Sequence, residues 1–132
     1  VITLDTSGVV ALLNARDPDH ASAKTSLEQA GRPYLIPVGI LSEIAYLIEA
    51  RMPHVLDAFL GDLESGAYTQ DCGDDVLPRA RELIERYGDL PLGYADAAVI
   101  ACAERNGGLV LTFDRRDFGV VAREGTIRLT PA

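Results

Sequence analysis

Four acidic residues stand where an ionised side chain is costly to place. Asp5 closes the apolar run Val1-Ile2-Thr3-Leu4, and Asp114 follows Leu109-Val110-Leu111-Thr112-Phe113. Glu43 interrupts the apolar residues 40–48, and Asp96 interrupts residues 94–101. A carboxylate is rarely buried unless it is paired or ligates a metal. The sequence offers these four few basic neighbours, so a shared divalent cation is the simplest way to satisfy them. Oxygen donors unaccompanied by His or Cys suit hard Mg²⁺ or Mn²⁺ rather than zinc. Such ions activate water and stabilise charge at phosphorus, with paired ions about 3.5–4 Å apart. The reaction class that needs this arrangement is phosphodiester hydrolysis. Without a cation, carboxylates crowded into one pocket repel, and some must protonate.

Each acid also has a plainer role. An Asp before Thr-Ser serves a turn or cap. Glu43 suits the surface of an amphipathic helix, and Asp96 suits the positive end of a helix dipole. Asp114, followed by Arg115 and Arg116, suits a salt-bridged turn. Singly these readings compete evenly or better; the joint placement of the four favours a site.

The elements that must position them follow from period and punctuation. Residues 1–4 read as a buried strand, and Asp5-Thr6-Ser7 turns into a helix over 8–14 with Thr6 or Ser7 as N-cap. Asp17-Pro18-Asp19 breaks it, and a polar helix over 20–30 ends at Gly31. A strand over 34–37 precedes a helix over 40–51, which Pro53 stops. Helical spacing of Val55, Leu56, Phe59, Leu60 and Leu63 sets a helix over 54–64, with that apolar face assigned to the core. A strand over 67–70, helices over 76–87 and 94–106, and a strand over 109–112 come next, with Gly107-Gly108 as a left-handed cap. A loop and short helix fill 113–122, and 126–129 forms a last strand. Strands alternating with helices predict a mainly parallel sheet sandwiched by helices.

In such sheets ligands gather beyond the carboxyl ends of the strands. Asp5, Glu43 and Asp114 fall at that edge. Asp96 joins them only if its helix starts there, which a helix running back to a parallel strand is not expected to do. Its i+3, i+4 and i+7 neighbours Val99, Ile100 and Ala103 do place it on an apolar face.

The 132 residues form a single domain with room for a core, and 48% hydrophobic and 24% charged residues are ordinary for a soluble protein. No apolar stretch approaches a membrane span and no leader precedes the first strand, so a cytoplasmic location and no membrane contact are expected. Cys72 and Cys102 lack CxxC spacing; no disulfide is expected, and Cys102 reads as a small buried hydrophobe. A net charge of −8 excludes a simple nucleic-acid-coating protein, although setting the four acids aside halves it. His20 and His54 read as solvent-exposed rather than as general bases. The bases are eleven Arg and one Lys, and Arg suits bidentate phosphate contact.

Four segments in order resemble the PIN-domain ribonuclease family, particularly its VapC-like toxins of type II toxin–antitoxin modules. They are Leu4-Asp5-Thr6-Ser7, Leu41-Ser42-Glu43-Ile44, the stretch Tyr94-Ala95-Asp96-Ala97-Ala98-Val99-Ile100-Ala101, and Leu111-Thr112-Phe113-Asp114-Arg115-Arg116-Asp117-Phe118. The resemblance spans nearly the whole chain. It implies a three-layer α/β/α sandwich with about five strands, and an Mg²⁺- or Mn²⁺-dependent endoribonuclease that hydrolyses RNA with a metal-activated water. It also implies a small cognate antitoxin whose tail enters the active site. Asp5 and Asp96 match the family's most dependable metal ligands, Glu43 the third acid and Asp114 the more variable fourth. Asp117, beside Phe118, reads as a turn acid. Thr6 and Thr112 match hydroxyl positions that support the acids or contact phosphate, and Arg16, Arg115 and Arg116 are candidate phosphate contacts. The family likeness turns Asp96 toward the shared cleft. A homodimer is expected, assembling the basic groove one chain lacks.

Two other readings compete. A non-catalytic module with an acidic pocket would bind Mn²⁺ without hydrolysing RNA. An aspartyl-phosphate phosphotransfer protein would use Asp5, but Ser7 stands where such proteins carry a second Asp, and no Lys lies near the sheet edge.

Overall fold

Short apolar stretches become the inner strands of the sheet. In the computed structural model, which describes residues 1–132, β1 (Ile2–Leu4) is buried along its length between β2 (Tyr34–Pro37) and β4 (Leu109–Leu111). The edge strands β3 (Thr69–Asp71) and β5 (Arg128–Thr130) are polar and more exposed, as a strand with one open flank can be. All four pairings are parallel, in the order β3-β2-β1-β4-β5.

Parallel neighbours need a crossover, and helices supply each one. α1 (Thr6–Leu13) and α2 (His20–Ala30) connect β1 to β2, and α3 (Leu41–Arg51) and α4 (Leu56–Ser65) connect β2 to β3. α5 (Leu77–Arg86) and α6 (Tyr94–Arg105) carry the chain to β4, and α7 (Arg115–Ala122) precedes β5. Single 3₁₀ turns lead into α3, α4 and α5. The expected α/β sandwich on a parallel sheet of five strands is what forms, with strand ends displaced by one or two residues where pairing register decides them. β3 starts at Thr69 because it pairs with Leu35, and β5 starts at Arg128 because it pairs with Leu109.

The strand order sets the position of the site. The chain winds outward from β1 to β3, then returns to the other side of β1 and winds outward again through β4 and β5. The crossovers leaving β1 and β4 therefore diverge, opening a crevice between the carboxyl ends of these neighbouring strands. α6 ends at Arg105, four residues before β4, so it runs down toward the start of that strand and begins at the carboxyl edge. This corrects the expectation from sequence: a helix returning to a parallel strand does start at the edge where the ligands gather.

α1 crowds this edge because of Gly8. A Cβ there would lie 2.7 Å from the Leu111 carbonyl oxygen and 2.9 Å from its Cγ, so only glycine lets α1 press onto the end of β4. A second correction concerns the cysteines. Cys72 and Cys102 are joined as a disulfide, with Cα atoms 5.6 Å apart, tying the segment after β3 to the middle of α6. Their 30-residue separation hid the pairing, because the two sites meet only once α6 lies across the sheet. Cys102 is nonetheless fully buried, as expected of it. Phe59 belongs to the core, whereas Leu60 on the same helix is exposed. No helix is long and apolar enough to cross a membrane.

Candidate active site

Asp5 leaves β1 in extended conformation and is itself the N-cap of α1, displacing the Thr6 or Ser7 expected in that role. Its Oδ1 accepts from the Gly8 amide at 2.8 Å and from Ser7 Oγ at 2.8 Å, and its Oδ2 accepts from Thr112 Oγ1 at 2.6 Å. Ser7 Oγ in turn accepts from the Phe113 amide at 2.8 Å. This network stitches the end of β1 to the end of β4 and fixes the carboxylate in place. Three donors use three of its four lone-pair positions and leave one open on Oδ2. Asp5 is 5% exposed, and its pKa rises from 3.8 to about 6. Burial is the main cause; the bonds from Thr112, Gly8 and Ser7 pull the other way, and the charge of Asp114 adds to the rise.

Asp96, in the first turn of α6, faces the same crevice and is half-buried. It too is raised from 3.8 to about 6, by burial first and then by the charges of Asp114, Asp5, Asp117 and Glu43. No hydrogen bond contributes to holding its charge, so both oxygens remain available. Glu43 extends from the first turn of α3 and accepts from Thr6 Oγ1 at 2.5 Å, joining α1 to α3. Asp114 lies beyond β4, where its amide is held by Thr112 Oγ1 at 3.1 Å.

These four acids line one cleft of about 340 Å³, together with Thr6, Ser7 and a mainly apolar floor that includes Val10, Leu47 and Val99. The crevice thus brings together all four residues singled out in the sequence. Burial differs from the expectation, however. Only Asp5 is buried; Asp114 is exposed because the chain emerges from the sheet edge after β4, and Glu43 because it lies on the open side of the first turn of α3. Thr6 donates to Glu43 and Thr112 to Asp5. Asp117 sits in the first turn of α7 beside Arg116 and outside the cleft lining, although its charge reaches Asp96.

Arg16, Arg115 and Arg116 are exposed and line no part of the cleft; Arg115 instead donates to the Pro131 carbonyl. His54 is exposed, but His20 is half-buried with Nδ1 2.9 Å from the Ala11 carbonyl, which corrects the expectation of a solvent position. The cleft adds three charged residues that sequence reasoning passed over: Asp17, Asp19 and Arg51. For Arg51 the signal was present, since it follows Glu43 at i+8 and Leu47 at i+4, a helical spacing.

The donor set fits a hard divalent cation. It is all oxygen, Asp5 and Asp96 retain open positions, and both carboxylates are raised by burial first and by neighbouring negative charge second. The acids are spread around the cleft rather than gathered, and no three of them already form a ligand cluster. That spacing is expected of like charges, which a cation would draw together.

Comparison with known proteins places the fold and the sequence in a family. The sequence matches the PIN domain family over residues 2–124. It is 30% identical over 130 residues to ribonuclease VapC26 of Mycobacterium tuberculosis, covering 96% of each chain. Among solved structures, VapC20 of Mycobacterium tuberculosis, a toxin that cleaves the sarcin–ricin loop, superposes with a TM-score of 0.73 at 25% identity over 92% of this chain and 95% of that one. A chain of a toxin–antitoxin complex from Klebsiella pneumoniae shares the fold, with a TM-score of 0.75 at 19% identity over 97% and 96% of the two chains.

Proposed function

The chain belongs to the PIN-domain family, and from that premise we propose that it is a metal-dependent endoribonuclease, the toxin of a toxin–antitoxin module. The observation that carries the proposal is the crevice between β1 and β4, where Asp5 and Asp96 face one cleft and are both pushed to about 6 with no basic side chain lowering either. In this reading Asp5 and Asp96 hold Mg²⁺ or Mn²⁺, and Glu43 and Asp114 complete the acidic shell. The bound cation supplies Lewis acidity, lowering the pKa of water and countering charge that develops on a phosphodiester.

The chain's own groups do the positioning. Ser7, Gly8 and Thr112 hold Asp5 in one orientation, so that its remaining lone pair points from a fixed place. Thr6 holds Glu43 across the cleft, which gives an otherwise exposed and mobile side chain a defined position. The apolar floor excludes water from beneath the acids and strengthens their charge on whatever enters. RNA is the proposed substrate because the relative and the solved neighbour at 25% identity or more are named as a ribonuclease and an RNA-cleaving toxin. A protein antitoxin with a basic segment would be matched to the same acidic cleft, and the cytoplasm, where RNA and antitoxin meet, is the proposed compartment. The aspartyl-phosphate alternative still lacks its lysine: Lys24, the single lysine, lies on α2 and does not line the cleft.

The test is cleavage of a total-RNA pool by the purified chain, by Asp5→Ala and by Asp96→Asn, with Mg²⁺, Mn²⁺ or EDTA. Cleavage is expected with either metal, to stop in EDTA, and to fall about 10³-fold or more in Asp96→Asn, given the several kcal/mol of charge stabilisation that ligand supports. A folded Asp96→Asn chain of full activity would remove the site, and undiminished cleavage in EDTA would remove the metal.

A further inference from the structure

The cleft holds six carboxylates, and a polyanion entering it meets repulsion on nearly every side. One cation breaks the pattern. Arg51 is the single basic side chain lining the cleft, on the last turn of α3. It continues the stripe that Glu43 and Leu47 begin, so one face of α3 runs from an acid at the proposed metal end to a guanidinium at the other. The eight-residue interval corresponds to about 12 Å of helix rise.

Lining the cleft is what separates Arg51 from the other arginines, and its charge there is unopposed by a salt bridge. The ion pairs of the molecule engage Arg79, Arg86, Arg105 and Arg116, and Arg51 takes part in none of them. It is unpaired even though Asp17 and Asp19 line the same cleft. A positive charge on the last turn is favoured by the helix dipole, but that effect does not turn the residue toward the cleft; the i, i+4, i+8 stripe does.

We propose that Arg51 is a substrate-positioning residue that takes a backbone phosphate of RNA away from the scissile bond, giving an acidic cleft its one anchoring point for a polyanion. The planar guanidinium suits bidentate contact with phosphate oxygens. Its position relative to the acids fixes how the strand runs: the reacting phosphate lies at the Glu43 end of α3 and a flanking phosphate at the Arg51 end. The proposal rests on the nuclease reading above and adds the direction of the strand to it.

The experiment measures binding of a random-sequence, 12-nucleotide single-stranded RNA by fluorescence anisotropy, in Mg²⁺ and across a salt series. It compares the Asp96→Asn chain, used to prevent cleavage, with the same chain also carrying Arg51→Ala or Arg51→Lys. Losing one phosphate contact to single-stranded nucleic acid should lower the salt slope by about 0.7. Affinity at low salt should fall by roughly 3- to 10-fold, in the range of one hydrogen bond made by an exposed side chain. Arg51→Lys should restore most of the slope, which a merely structural role would not do. In active chains Arg51→Ala should raise KM on the RNA pool while leaving kcat within about twofold, the sign of lost ground-state binding. An unchanged slope with RNA still bound and cleaved overturns the role of Arg51 and leaves the nuclease reading intact. Absence of both binding and cleavage in the chain with Arg51 present overturns both.

Discussion

The two ends of α6 treat a half-buried carboxylate in opposite ways. Asp96, in the first turn, faces four other acids and is driven up to about 6. Glu104, in the last turn, is pushed up by its burial, but the Arg79 hydrogen bond, a bond from Thr126 and the charge of Arg79 outweigh this and hold it below its ordinary value. Arg79 reaches both Glu104 oxygens, at 2.8 and 3.0 Å, and Glu82 at 3.1 Å. Arg105 at the same end serves Asp71 and Asp75. The lower end of the helix is therefore a closed electrostatic unit that locks α5 and α6 together, while the upper end is left short of positive charge. Acids that maintain a fold are given partners by the fold. The cleft acids are given no basic partner, and in their charged form they weaken the protein.

The pH dependence of stability in metal-free protein is the largest way to break this contrast. Asp5 and Asp96 bind protons more tightly in the folded chain, at about 6, than the unfolded value of 3.8. Folding is thus favoured by protonation, and stability falls as pH rises from about 4 to about 6, then levels off. The elevation at buried Asp5 alone corresponds to about 3 kcal/mol. Because the two groups interact, the total is less than twice that. Thermal melts in EDTA should show a midpoint roughly 5–10 °C higher at pH 5 than at pH 7.5. Asp96→Asn should flatten that difference and melt higher than the parent at pH 7.5. A midpoint that falls on acidification toward pH 5 would contradict the account of the cleft.

The closed end should respond in the opposite sense. Glu104 contributes stability that is present above its unfolded value of 4.5 and is lost as pH falls through its lower folded value. Glu104→Gln should cost about 1–2 kcal/mol at pH 7.5, by urea denaturation, while leaving RNA cleavage unchanged. Loss of cleavage without loss of stability would mean that the two ends are not separate in function.

A smaller effect calibrates both ends with an uncharged group. Thr3 Oγ1 is buried in β1 and is the one buried side-chain polar atom without a partner. Thr3→Val should raise stability by about 1 kcal/mol, since it removes an unpaired hydroxyl without opening much space. An unaltered or lower denaturation midpoint would show that the hydroxyl finds a partner.

The fold was readable because its elements are locally consistent. Leu109-Val110-Leu111 is a short continuous apolar run bounded by turn residues, and Gly107-Gly108 ends α6 with both residues at positive φ. The edge strands were read less accurately, since polar stretches such as Thr69–Asp71 become strands only through pairing. The Cys72–Cys102 link was not readable either, because it depends on how α6 crosses the sheet.

For the site, sequence alone singled out four acids that line one cleft. Asp5, Glu43, Asp96 and Asp114 stand at element boundaries that hydrophobic period and turn residues define, and those are local properties. Tertiary structure decided the environment of each. It buried Asp5 and left Glu43 and Asp114 exposed, made Asp5 rather than Thr6 or Ser7 the cap of α1, and started α6 at the crevice edge. It also turned Arg51 into the cleft while Arg115 and Arg116 stayed outside. The reason is physical: desolvation and Coulomb interaction depend on distances among groups up to about a hundred residues apart, and those distances do not exist until the strands pair.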